Sequence, residues 1–142
     1  ATQYFIMVDT ASCRTVVFKG KAGSWAPLYD WACGVGMNGH ETPKGDYTIG
    51  GDGACYNWTR WNDGRNNFKG GYRTTYYPED DIKYFTGFCL DLGFHSCIGW
   101  EGGYSDWNQV GKKISHGCIR LIESCAKWIY DNAMPGTRVI TF

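Results

Sequence analysis

Short runs of apolar and β-branched residues, separated by turns, dominate the chain and predict a β-rich fold. The runs at residues 4–9 and 14–18 are read as two strands of a hairpin. Further strands are expected at residues 28–35, from Tyr47 onwards, at 83–92 and at 137–142. Glycine, proline and small polar residues bound these runs, as expected of turns between strands.

Only one segment carries a helical period. Ala126, Ile129, Tyr130 and Ala133 recur at a spacing of three to four residues, which predicts a helix over about 123–133. Pro135 follows and would end it. Many strands with one late helix predict a single mainly β domain over residues 1–142, with the helix packed on a sheet.

Two long segments show neither the apolar runs of a strand nor the spacing of a helix. Residues 50–82 are rich in glycine and aromatic residues, and they are interpreted as irregular strands and a long loop over one face, acting as a substrate lid. Residues 97–113 are expected to form a second loop.

Charge and hydropathy exclude two classes of protein. The 14 basic and 14 acidic residues balance, which excludes the basic footprint of a nucleic-acid-binding protein. No apolar run approaches the roughly 20 residues that span a bilayer. A strand-like run follows the first three residues directly, so the N-terminus is expected to be a mature end or the boundary of an excised piece.

Seven cysteines in 142 residues leave one that cannot pair within the chain. The simplest interpretation is three disulfides and one working thiol, which places the protein outside the cytoplasm. The alternative is a cytosolic protein with seven reduced and mostly buried cysteines.

The candidate chemistry lies in residues 114–121, where Cys118 follows a histidine and a glycine. A distant histidine, His95, stands in another apolar run, and one cysteine with one distant histidine is typical of thiol acyl-transfer enzymes. His95 would take the thiol proton, and a backbone carbonyl is expected to hold its other nitrogen. The backbone N–H groups of Gly117 and Cys118 could bind the oxyanion of the tetrahedral intermediate.

Neighbouring residues have both functional and structural interpretations. Ser115 could bond to the active-site backbone or to His95. His116 is expected to shape the substrate site, and Arg120 either to hold a substrate carboxylate or to form a salt bridge. Cys118 could equally be a buried structural thiol and His95 a core histidine. A zinc site is disfavoured because no metal-ligand spacing is present, and His40 is expected to be solvated.

These motifs resemble the catalytic domain of the L,D-transpeptidases, the YkuD-type family. The family motif is matched by Ser115-His116-Gly117-Cys118-Ile119-Arg120-Leu121, with His95-Ser96 as its upstream element. Gly39 and the segment Thr42-Pro43-Lys44-Gly45-Asp46-Tyr47-Thr48-Ile49 match a second motif, and Gly136-Thr137-Arg138-Val139 matches the closing one. The ordered set is specific, and similarity in the late helix favours a Gram-positive, clostridial-type subgroup. The 19 residues between His95 and Ser115 make this loop a little longer than is usual for the family.

The resemblance implies a β-sandwich of mixed sheets and a cysteine peptidyltransferase of peptidoglycan synthesis. Cys118 would attack a stem tetrapeptide, release D-alanine and form a thioester, which a second stem resolves into a 3→3 cross-link. It further implies Ser96 and Ser115 as site residues, no cofactor or metal, a monomer, carbapenem sensitivity and a location outside the cytoplasm. The alternatives are an L,D-carboxypeptidase and a non-catalytic peptidoglycan-binding module.

One disulfide can be predicted. If the second and third strands are antiparallel neighbours, Cys13 and Cys33 lie opposite each other, so Cys13–Cys33 is expected to be a pair. The pairing of the remaining cysteines stays open; these are Cys55, Cys89, Cys97 and Cys125.

Overall fold

Two mixed β-sheets organise the chain in a computed structural model that describes residues 2–51 and 72–142. The strands are β1 (Tyr4–Asp9), β2 (Arg14–Lys19), β3 (Ala26–Ala32), β4 (Gly34–Gly36), β5 (Gly45–Thr48), β6 (Arg73–Tyr77), β7 (Ile82–Cys89), β8 (Leu92–Ser96), β9 (Lys112–Ser115), β10 (Ile119–Leu121) and β11 (Arg138–Thr141). The first sheet has the order β3-β2-β1-β11-β5 and the second β6-β7-β8-β10-β4-β9. The helices are α1 (Gly99–Gly102), a 3-10 turn at Trp107–Gln109, and α2 (Glu123–Asn132). The predicted mainly β class with one late helix is confirmed.

The first sheet follows directly from the alternation of its strands. β1 and β2 form an antiparallel hairpin in which Ile6 pairs with Val17, and both side chains are fully buried. The C-terminal strand β11 then pairs in parallel with β1 and places buried Val139 beside Ile6. Each such side chain contributes about 1.5–3 kcal/mol by leaving water.

Helix α2 links the two sheets. Its buried residues Ala126 and Ile129 belong to the core shared with both sheets, and the helix packs on β7, β8 and β10. On its other side, the ring of Trp128 meets Tyr4 of β1 edge-on, with ring centroids 4.9 Å apart. None of the helices in the described ranges is long and apolar enough to cross a membrane.

The prediction of a single strand over residues 28–35 is wrong, because the chain passes from one sheet to the other within this segment. β3 ends at Ala32 on the first sheet, and β4 begins at Gly34 on the second. Between them, the Cys33 N–H donates to the Cys13 carbonyl at 2.9 Å. A Cβ on Gly34 would lie 2.6 Å from the Gln109 carbonyl oxygen, so only glycine lets the backbones approach this closely.

The two segments without a clear period, predicted as irregular strands with a long loop at 50–82 and as a loop at 97–113, contain regular structure in the described residues. Most of the predicted lid at 50–82 lies outside the described residues, but its last part forms β6 and the turn into β7. Thr74 and Tyr77 are buried there, in keeping with the β-propensity of threonine and tyrosine. Residues 97–113 hold α1, the 3-10 turn and the start of β9. The Asp106 side chain caps that 3-10 turn by accepting from the Asn108 N–H at 2.9 Å.

The predicted Cys13–Cys33 disulfide is not formed, although the two residues are neighbours as expected. All six cysteines that the structure describes are free thiols. Cys13 adopts a left-handed backbone with φ 57°, and its Sγ lies 3.9 Å from the Thr10 carbonyl oxygen, which accepts its hydrogen bond. A disulfide needs Cβ atoms that face each other, and the Cys13 thiol instead bonds to its own turn.

Candidate active site

The second sheet brings Cys118 and His95 onto one face. β8 and β10 are adjacent parallel strands in which Arg120 pairs with His95. Cys118 precedes Arg120 by two residues, and side chains two apart on an extended chain point the same way. All three line one cavity of about 450 Å³. Its apolar walls include Tyr77, Ile82, Phe85, Leu92, Ile98 and Trp100.

The turn that carries Cys118 is held by hydroxyl groups. Ser115 Oγ donates to the Cys118 carbonyl at 2.6 Å and accepts from the Gly117 N–H at 3.0 Å. From the distant Thr42, Oγ1 donates to the Gly117 carbonyl at 2.8 Å and accepts from the Gly36 N–H at 3.0 Å. Ser115 therefore bonds to the active-site backbone, one of its two predicted roles.

Gly117 is required by the shape of this turn. Its φ of 126° lies in the region that favours glycine, and a Cβ there would approach Leu92 Cδ2 to 3.0 Å. Because its N–H donates to Ser115 Oγ, this group is already engaged in the resting site. Its predicted role in binding an oxyanion stays a prediction.

His95 is held as a neutral imidazole of one tautomer. Its Nδ1 lies 2.6 Å from the Ser96 carbonyl oxygen, so Nδ1 carries the hydrogen and Nε2 keeps the lone pair. Burial lowers the pKa of His95 to about 4, because desolvation penalises the imidazolium. The ring is 6% exposed and stacks on Phe85 with centroids 6.4 Å apart. The expected backbone carbonyl is therefore that of the next residue.

The Cys118 thiol is also neutral at rest. Desolvation raises the pKa of Cys118 to about 12, and the nearby carboxylates Asp91 and Asp80 add to the rise. A hydrogen bond from the Gly93 backbone and the charge of Arg120 act in the opposite direction. Cys118 Sγ donates to the Asp91 carbonyl oxygen at 3.7 Å. The cavity thus holds a neutral thiol and a neutral imidazole at rest, without a preformed thiolate.

Arg120 is built into a buried network. Its Nη1 lies 2.9 Å from Glu101 Oε2 and 3.1 Å from Gln109 Oε1, and the side chain is 8% exposed. Gln109 also accepts from the Ile98 N–H at 2.7 Å and donates to the Ile98 carbonyl at 3.0 Å. The segment between His95 and Ser115 is therefore tied to the site through Gln109. The salt-bridge interpretation of Arg120 holds, and binding of a substrate carboxylate stays a prediction.

The other predicted residues divide between the cavity and the backbone. His116 is exposed, lines the cavity and contacts the ring of His40 at a tilt of 36°, with ring centroids 4.7 Å apart. His40 is thus exposed as expected, but it has a ring partner that the sequence did not indicate. Ser96 points elsewhere, because its buried hydroxyl donates to the Cys97 carbonyl and accepts from the Lys83 N–H, both at 2.8 Å. Its contribution to the site is the carbonyl that orients His95.

Three residues near the site were not singled out from the sequence. Thr42 stood in a recognised motif, and that motif was the available signal for it. Gln109 and Asp80 carried no local signal, since each gains its position from contacts between distant segments. Within residues 2–51 and 72–142, no group of three or more histidine, cysteine or acidic residues is arranged to hold a metal ion.

Comparisons with known proteins agree with this geometry. The family model of the L,D-transpeptidase catalytic domain, YkuD, matches residues 3–141. The chain therefore belongs to the L,D-transpeptidase catalytic domain family.

Individual relatives match this chain either over a short segment or at low sequence identity. The curated protein "Putative L,D-transpeptidase YciB" of Bacillus subtilis (strain 168) is 50% identical over 32 residues, which cover 22% of this chain and 16% of that protein. A fused Zn-dependent amidase/peptidase/peptidoglycan-binding domain-containing protein from Clostridium acetobutylicum superposes with a TM-score of 0.70 at 25% identity, covering 99% of this chain and 52% of that one. The L,D-transpeptidase LdtMt1, solved in complex with imipenem, gives a TM-score of 0.66 at 16% identity, covering 99% and 59%. The chain thus spans about half the length of these structures.

Proposed function

We propose that this domain is a peptidoglycan L,D-transpeptidase in which Cys118 is the nucleophile and His95 the general base. The observation that carries the proposal is the shared cavity of a thiol and a neutral imidazole. The Nδ1 hydrogen of this imidazole is held by the Ser96 carbonyl. That bond leaves Nε2 free to take the thiol proton.

The first half-reaction acylates the enzyme. Cys118 Sγ attacks the carbonyl of the third, L-centred residue of a stem tetrapeptide while its proton passes to His95. The C–N bond to the terminal D-alanine then breaks, and the leaving amine takes that proton from His95. A thioester remains on Cys118.

The second half-reaction decides the product. The side-chain amine of a second stem attacks the thioester, the C–S bond breaks and a 3→3 cross-link forms. Attack by water instead gives the product of an L,D-carboxypeptidase. The two products can be separated by analysing digests of one tetrapeptide with and without an acceptor amine.

The turn at Cys118 suits the tetrahedral intermediate. Ser115 and Thr42 hold its backbone, so a donor there needs little reorganisation when charge develops on the substrate oxygen. The Cys118 N–H is the first donor we propose for that oxygen, and the Gly117 N–H would have to leave Ser115 Oγ to join it.

The substrate also sets the proposed location. Peptidoglycan stems lie outside the cytoplasm, so the domain is proposed to act there, as part of a longer exported or wall-anchored protein. The proposed mechanism uses no metal ion and no organic cofactor.

Incubation with a carbapenem, followed by intact-mass spectrometry, tests the proposal. The imipenem complex of LdtMt1 makes this class of compound the natural probe. A covalent adduct that maps to Cys118 and is absent from Cys118→Ala is expected. An unmodified wild-type protein, or an adduct mapped to another cysteine, would contradict the assignment of the nucleophile.

A further inference from the structure

Asp80 stands out among the cavity residues because its placement is fixed by its neighbour. Asp81 adopts φ 49° in the turn between β6 and β7, and its Oδ1 accepts from the hydroxyls of Tyr76 at 2.8 Å and Tyr104 at 2.5 Å. The Asp81 carbonyl also accepts from the Gly99 N–H at 2.8 Å. The bonds from Tyr104 and Gly99 hold the turn against the segment around α1, the bond from Tyr76 braces it on β6, and Asp80 is left on the cavity wall.

The charges around the cavity favour a cation. Arg120 is matched by Glu101 at 2.9 Å, so this pair contributes little net charge. Asp80 and Asp91 both line the cavity, and neither forms a salt bridge to any residue within the described ranges. The Cys118 thiol and the His95 imidazole are neutral at rest and add no positive charge to offset the two carboxylates. Burial and the charge of Glu79 raise the pKa of Asp80, whereas His116 and Arg120 are the cavity groups that act to lower it.

We propose that Asp80 is a specificity residue that binds the primary ammonium group of a diamino acid side chain in the stem peptide. This inference rests on the proposed function, since the stem peptide supplies that group. The ammonium could belong to the acceptor, whose amine attacks the thioester, or to the third residue of the donor. A compact point charge with three donors suits a carboxylate at a half-open wall.

A bound ammonium would also ease the chemistry at Cys118. The carboxylates of Asp80 and Asp91 raise the pKa of the Cys118 thiol, so they oppose formation of the thiolate. When the donor supplies the ammonium, this cation beside Asp80 would cancel part of that effect as Cys118 attacks. When the ammonium is the acceptor's, it first loses one proton to solvent. The free amine then attacks the thioester, the C–S bond breaks, and the second proton returns to Cys118 Sγ through His95.

The test has two arms, and the first asks whether the acceptor supplies the ammonium. It compares Asp80→Asn with the wild type by the ratio of amide to hydrolysis product formed from one acyl-enzyme. This ratio does not depend on how fast the acyl-enzyme forms. With a lysine-containing acceptor, we expect the ratio to fall about fivefold, the effect of losing one partly exposed charge pair. Hydroxylamine, a neutral nucleophile near pH 7.5, should show no comparable fall. Higher salt should shrink the difference between the two nucleophiles.

The donor arm compares acylation by tetrapeptides with lysine or norleucine at the third position. If the donor carries the ammonium, Asp80→Asn should remove most of the preference for lysine. Asp131→Asn is the matched control, because it removes one carboxylate that pairs with Lys127 on helix α2. A loss in either arm supports the proposal and identifies the source of the ammonium. Unchanged ratios and preferences in both arms would overturn it.

Equilibrium binding separates this inference from the proposed function. Lysine tetrapeptide binding to Cys118→Ala, compared with the double variant that adds Asp80→Asn, needs no turnover. About fivefold weaker binding supports a role for Asp80. Equal affinities would count against it even if Cys118 proves to be the nucleophile, whereas a wild-type protein that is never acylated refutes the nucleophile alone.

Discussion

Cys118 and Cys33 have the same pKa shift and opposite surroundings. Burial raises the pKa of each thiol to about 12, and desolvation is the largest cause in both. Cys33 lies where the chain crosses between the sheets, is fully buried and belongs to the main core. Cys118 faces a cavity that it shares with His95. The pKa of the thiol therefore does not distinguish the proposed nucleophile from a core residue in this protein.

Cys118 differs from Cys33 in two respects: its thiol faces a cavity, and that cavity also holds a histidine that can act as a base. Next to Cys33, the Thr15 hydroxyl stabilises the thiolate, but a hydroxyl cannot act as a base at neutral pH. In the cavity of Cys118, a neutral imidazole with its tautomer fixed is the proposed group that removes the proton as attack occurs. A buried thiol of high pKa can then still act, because the thiolate need form only in the transition state.

Replacing His95 should therefore produce the largest effect on the reaction. His95→Gln keeps a polar side chain but removes the base, and we expect acylation of Cys118 to slow by about 10²–10⁴-fold. Single-turnover acylation followed by mass spectrometry measures this rate directly.

His116→Gln is the matched control, because it makes the same substitution at the other histidine of the cavity. Its loss should be far smaller than that of His95→Gln. If the two variants ranked the other way, the general base would be His116, and the neutral pair described for Cys118 and His95 would not be the catalytic one.

The pH dependence of alkylation should sharpen the contrast between the two thiols. With a pKa of about 12, the thiolate fraction of Cys118 rises about tenfold for each pH unit. The rate of its reaction with iodoacetamide should therefore climb from pH 6 to pH 9 without a plateau. Cys33 should stay unmodified throughout, because it is fully buried. Peptide mapping after timed quenching measures both rates in one sample.

A plateau for Cys118 near neutral pH would reverse the conclusion about the resting state. It would mean that a thiolate–imidazolium pair exists before substrate binds, with the His95 pKa far above 4. His95→Gln separates the cases, since it would abolish such a plateau but leave the slope of a neutral thiol in place.

The elements that the sequence predicted correctly depend on local patterns. The hairpin containing Ile6 and Val17 and the helix containing Ala126 and Ile129 each follow from a periodicity within a few residues. The break at Cys33 does not, because one apolar run can serve two sheets in succession. Its location depends on close contact between Gly34 and a backbone some 75 residues away.

The site shows the same division. Cys118, His95 and the turn at Gly117 could be predicted because the motif places them in adjacent positions or in one family pattern. The interactions of Arg120 with Glu101 and Gln109 arise within a loop whose length was noticed but whose fold was not. The failed Cys13–Cys33 disulfide has a similar cause: strand pairing predicts which residues are neighbours, but the left-handed turn at Cys13 decides where its thiol points.

Cys33→Ala should give the smallest effect on catalysis, with a measurable cost in stability. Removing the sulfur from a fully packed site should lower the free energy of unfolding by about 1–2 kcal/mol, while acylation of Cys118 changes less than twofold. Urea denaturation with and without dithiothreitol measures the stability term. With free thiols at Cys13 and Cys33, the cost in unfolding free energy should be the same in both conditions.

A cost of several kcal/mol that appears only without the reductant would show that the two thiols pair in solution, since loss of a native disulfide typically costs about 2–5 kcal/mol. That result would make the Cys33 region a covalent clamp between β2 and β3, and Cys118 would then differ from it in redox state as well as in access.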